Sequence, residues 1–123
     1  MVQKFPDILA LLQYAEDQRL YRDLVQQLRK DFVLANTNVD FKDGISPMEL
    51  KTLVHEKVYH LMMEKFTGYL NLLYIIDVPE RAMKAIKADD VVDISEQVSF
   101  EVLKRECQKV WFRKNYGSWP YLF

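Results

Sequence analysis

Glu56, His60 and Glu64 stand four residues apart, the interval that stacks side chains along one face of a helix. Carboxylate, imidazole and carboxylate in a row could hold a divalent cation or pass a proton. Glu49, Thr67 and Asn71 extend this polar seam in both directions. One helix supplies only part of a coordination sphere, and the Glu-x-x-His spacing of di-iron bundles is absent. His55-Glu56 followed by His60 also departs from the zinc-protease pattern, because five residues turn the second imidazole about 140° from the first. The seam therefore reads first as the solvated face of a largely buried helix. Glu56, His60 and Glu64 are weak metal candidates, and no cofactor is expected.

Arg105, Lys109 and Arg113 repeat the four-residue interval further along, with Lys104 and Lys114 beside them and aromatic residues interleaved. A surface that follows phosphates has this pattern. So does an ordinary exposed helix face with cations near its C-terminus, where the helix dipole favours them. Seventeen basic residues against eighteen acidic ones leave a net charge of −1, so no overall field draws the chain to nucleic acid. Cys107 lies between Leu103 and Val110 at core spacing and reads as a small buried hydrophobe. As the single cysteine it cannot form an internal disulfide, which suits a reducing compartment. The loop from Asn36 to Gly44 fails as a calcium loop, because Val39, Phe41 and Leu50 fall where oxygen ligands belong.

Six aromatic residues occupy the last thirteen positions: Trp111, Phe112, Tyr116, Trp119, Tyr121 and Phe123. Such side chains supply large apolar area with few rotors to freeze, so they dominate cores and interface hot spots. The segment 116–123 is expected either to fold back over its own bundle or to dock onto a partner. In the second case Trp119, Tyr121 and Phe123 are the interaction residues, and the partner is a second copy or another protein.

The elements that must position these groups follow from caps and periodicity. Ser46, Pro47 and Glu49 form an N-cap, a first-position proline and a capping-box acid, with Ile45 and Leu50 spaced as a hydrophobic staple. From there an apolar pattern runs to Asp77, ahead of Pro79, and predicts one long helix over about 46–77. It is apolar on more than half its circumference and is expected to be the central helix. Upstream, Ile8, Leu11, Leu12 and Ala15 form one stripe, and Leu20, Leu24, Leu28 and Phe32 form another pointing nearly the opposite way. Two helices, about 6–16 and 18–35, explain this better than one continuous helix, although no Gly or Pro marks a break. A short helix over 79–87 and a last one over 94–115, capped by Asp93 or Ser95, complete the set. The last helix is expected to bury Phe100, Leu103, Cys107, Val110 and Trp111.

The expectation is thus an all-α compact bundle of four to five helices in a single domain, 1–123. With 123 residues, half of them hydrophobic, the chain can bury a substantial core. The first residues lack the basic and apolar regions of a signal peptide. Glu64 and Lys65 interrupt the most apolar window, which argues against a membrane span. A cytoplasmic location is expected. The leading functional expectation is a helical interaction or regulatory module that self-associates as a dimer without catalysis. Behind it stand nucleic-acid association through the last helix, and then metal or proton chemistry at Glu56, His60 and Glu64.

Overall fold

The path of the chain is set by where its helices stop. The computed structural model describes residues 4–116. Its elements are α1 (Ile8–Asp17), α2 (Tyr21–Leu34), α3 (Pro47–Glu64), α4 (Phe66–Ile76), α5 (Glu80–Lys84) and α6 (Val91–Tyr116). The architecture is an all-α helical bundle, with no strand among the described residues. No helix among them is long and apolar enough to cross a membrane.

The opposed stripes of the first third are two helices. Arg19 adopts the left-handed conformation, φ 59°. The Leu20 N–H donates to the Ala15 carbonyl at 2.7 Å and the Arg19 N–H to the Glu16 carbonyl at 3.0 Å, the paired bonds of a Schellman turn. Asn36 (φ 56°) closes α2 and Asp77 (φ 66°) closes α4 in the same way. None of these three turns uses glycine, which is why the first left no mark in the composition.

The stretch 46–77 is interrupted. Lys65, at φ −143° and ψ 66°, separates α3 from α4. Phe66-Thr67-Gly68-Tyr69 opens α4 with residues of low helix propensity. A Cβ on Gly68 would sit at 3.4 Å from Leu61 Cδ2, an ordinary contact, so what the glycine contributes there is its low helix propensity. Beyond the break the polar seam changes environment: Asn71 Nδ2 donates to the Ala35 carbonyl at the end of α2, 3.4 Å away.

The start of α3 is as its residues dictate. The Glu49 N–H donates to Ser46 Oγ at 3.2 Å, and Ser46 Oγ donates to Glu49 Oε1 at 3.0 Å. Ile45 and Leu50 are both buried. α6 begins earlier than expected, because Asp90 rather than Asp93 or Ser95 is the cap, its Oδ1 accepting from the Asp93 N–H at 2.8 Å. α5 is shorter than expected.

The central element is α6, which packs against each of the other five helices. Its buried stripe runs Ser95, Val98, Ser99, Val102, Leu103, Glu106, Cys107 and Val110, alternating steps of three and one as a wide helix face does. Phe100 and Trp111 lie half-buried at the edge of that stripe rather than in it. Leu11, Leu12 and Ala15 of α1, Leu24, Leu28 and Phe32 of α2, and Val54, Val58 and Leu61 of α3 supply much of the remaining core. The 36–44 loop is pinned from both sides. Phe41 is buried with its ring edge-on to Phe32, 5.1 Å between centroids, and the Arg29 guanidinium donates to the Phe41 carbonyl.

Candidate functional site

The polar seam does not converge. Glu56, His60 and Glu64 are all exposed on the outer side of α3. Glu56 and His60 share a shallow cleft of about 450 Å³ with Asn38, Val39, Asp40, Leu53 and Lys57. Glu64, the last residue of α3, lies outside that lining. Among the described residues no group of three His, Cys, Asp or Glu side chains is arranged to hold a metal ion. His55 serves a different end. Its Nε2 lies 2.8 Å from Ser95 Oγ and 3.3 Å from the Val92 carbonyl, joining α3 to the first turn of α6.

The cations of the last helix are held within the chain rather than aligned in a free row. Arg105 donates to Asp77 and to Gln108. Arg113 Nη1 donates to Gln27 Oε1 at 2.9 Å. Lys109 turns inward, its Nζ 2.9 Å from Asp31 Oδ2 and 2.7 Å from Glu106 Oε1. The reason is the pitch of the buried stripe, which places Lys109 one turn beyond Glu106 at the α2 boundary instead of opposite the core.

That contact opens a cluster the spacing of the cations had concealed. Glu106 is completely buried and Asp31 is 4% exposed. Gln27 Nε2 donates to Asp31 Oδ2 at 3.0 Å. Lys109 touches Glu106 closely but out of hydrogen-bond alignment, so neither Glu106 oxygen accepts a well-directed hydrogen bond. Burial pushes the Glu106 carboxyl up to about 8; its hydrogen bond to Asp31 adds to the rise and Lys109 opposes it. Burial also opposes ionisation of Asp31, but hydrogen bonds from Glu106, Gln27 and Lys109 outweigh it and hold that carboxyl below its ordinary value. The two carboxyls are thereby driven apart in acidity, as in a pair that shares one proton. A signal existed in the sequence: Glu106 sits among Val102, Leu103, Cys107 and Val110 at core intervals.

Cys107, beside it, is buried, and desolvation pushes its thiol up to about 11. That setting is the reverse of the one that activates a nucleophilic cysteine.

The surface feature that stands apart is α4. From Phe66 to Ile76 it carries no charged side chain, yet only Tyr69, Leu72 and Ile76 are buried. Phe66, Leu70 and Tyr74 recur at four-residue steps on its outer side and are 56%, 51% and 80% exposed. Tyr59 and Met63 are also exposed, on the last turns of α3 before the break, and Val33 and Leu34 are exposed at the nearby end of α2. Scattered exposed apolar residues are ordinary, but a row this long on an uncharged helix is not. The expected interaction residues Trp119, Tyr121 and Phe123 lie outside the described residues. Just before them Trp111, Phe112 and Tyr116 form a mutual ring cluster with centroids 5.3–5.8 Å apart. No family model matches the chain, and no curated protein or solved structure matches it either.

Proposed function

We propose that this protein is a self-associating helical interaction module, and that two copies meet through the outer row of α3 and α4. The observation that carries the reading is the exposure of Phe66, Leu70 and Tyr74 on a helix without a single charge. Large side chains present roughly 150–250 Å² each when fully open. At the exposures of Tyr59, Met63, Phe66, Leu70 and Tyr74, the row leaves on the order of 600 Å² of surface. That approaches the roughly 800 Å² per partner of a standard interface.

A second copy fits this surface on charge grounds. The five apolar side chains of the row carry no charge, so a complement that is itself apolar suits them, as the same row on another copy is. Glu64 and Lys65, both exposed, lie between Met63 and Phe66 in the chain. A two-fold axis near that point brings each acid towards the other copy's base, the self-complementarity an isologous interface requires.

Light scattering tests the proposal. The wild-type chain should be dimeric at tens of micromolar, and Leu70→Glu or Tyr74→Glu should give a folded monomer. A wild-type chain that stays monomeric at high concentration overturns self-association through this face.

A further inference from the structure

Two carboxyl groups and one ammonium group meet between α2 and α6, the carboxyls shielded from water: Glu106 is wholly buried, Asp31 nearly so, and the Lys109 side chain is 20% exposed. We propose that Asp31, Glu106 and Lys109 form a one-proton latch between α2 and α6, closed while a single proton lies between the two carboxyls and loosened when it leaves.

With Asp31 ionised, Lys109 protonated and Glu106 neutral, the cluster is balanced. Removing the proton sets two carboxylates against one ammonium in a site that cannot hydrate them. No aligned donor waits to receive the new charge, because neither Glu106 oxygen accepts a well-directed hydrogen bond. Arg113 is the next cation, and its Nη1 is engaged by Gln27.

The other elements packed on α6 supply no compensation. α1 buries Ile8, Leu11, Leu12 and Ala15, and α3 buries Leu50, Val54, Val58 and Leu61. α4 buries Tyr69, Leu72 and Ile76, of which Tyr69 alone can ionise, and burial pushes its hydroxyl upward. α5 buries nothing. The charges acting on Glu106 are Asp31 and Lys109.

The sign follows. Glu106 has an ordinary value of 4.5 when unfolded and is raised to about 8 when folded. The protonated carboxyl therefore contributes stability that is complete below 4.5, declines as the unfolded chain ionises, and is gone once pH passes the folded value. The loosened state appears where Glu106 itself ionises, at mildly alkaline pH. This inference does not depend on self-association.

The experiment is urea unfolding of the full chain from pH 5 to pH 9, for wild type and Glu106→Gln, which keeps the shape and a donor but cannot ionise. The wild-type folded-to-unfolded ratio should fall more than tenfold across that range in excess of the variant. Hydrogen exchange, corrected for the intrinsic pH effect, should show amides of α2 and the facing part of α6 opening above pH 8 in wild type alone. Carbon-13 NMR of the wild-type side-chain carboxyls keeps the proposal testable if the variant fails to fold. A buried glutamic acid titrating near 8 supports the latch. Titration of Glu106 in the ordinary carboxyl range, or equal pH dependence of wild type and variant, overturns it.

Discussion

Arg105 on α6 clasps Asp77, the left-handed residue that ends α4: Nε donates to the Asp77 carbonyl at 3.0 Å, and Nη2 lies 3.1 Å from Oδ2. The guanidinium thus meets both the negative end of the helix and the side chain that turns the chain away. Arg105→Met should cost about 1 kcal/mol, mostly through the carbonyl bond, because the Asp77 carboxylate is well exposed and its ion pair is weak. Asp77→Asn keeps the left-handed preference and should cost under about 0.5 kcal/mol. Urea denaturation of the two variants compares them directly.

Arg19 holds φ 59° without the freedom of glycine. A left-handed conformation costs an ordinary residue roughly 1–2 kcal/mol, and the added freedom of glycine in the unfolded chain returns part of that. Arg19→Gly should therefore raise stability by about 0.5–1 kcal/mol, read as a higher urea midpoint at unchanged slope.

Ser46 caps α3 through the Glu49 N–H, whereas the Thr52 hydroxyl bonds back to the Met48 carbonyl on an exposed face. Ser46→Ala should cost about 1 kcal/mol. Thr52→Ala should be close to neutral, since that bond competes with water and supports no helix end. Thermal melts of both at one pH provide the comparison.

Lys109→Met should affect the acid side as well as neutral stability. Asp31 is held below its ordinary value of 3.8 in the fold, so it adds stability above that value and loses it as pH falls through the folded one. Removing Lys109 takes away one of the groups that hold it down. Acid unfolding followed by circular dichroism should start at higher pH, with a loss on the order of 3 kcal/mol at neutral pH for breaking a buried pair.

Cys107 should resist maleimide at pH 7.5 in the native protein and react at once in urea, because the thiol is buried and raised to about 11. Rapid labelling of the native chain would show that α6 opens locally around Leu103 to Val110.

Residues that act on their own immediate neighbours were the ones legible in the sequence. Ser46, Pro47 and Glu49 announced the start of α3, and the two opposed stripes announced that α1 and α2 are separate. The all-α architecture followed from such patterns. The break at Lys65 is not legible because its cause is distributed over the poor helix formers Phe66, Thr67, Gly68 and Tyr69 that follow it, none of which is a breaker by itself. The turn at Arg19 carried no glycine to mark it. The buried cluster escaped for a different reason. Lys109 looks like a member of a cationic stripe until the partner helix is known, and Asp31 belongs to that partner. The interval between Glu106 and its apolar neighbours was the one local sign.

Lys65 also works as a mechanical joint. In an unbroken helix an inserted residue would swing everything downstream by about 100°, turning Leu72 and Ile76 out of the core. Here the non-helical residue can absorb such a change, so α3 keeps its seat against α6 and Leu72 and Ile76 keep theirs in the core. A change in chain length before Phe66 is thereby taken up at one peptide unit instead of being passed as a rotation to the buried face of α4.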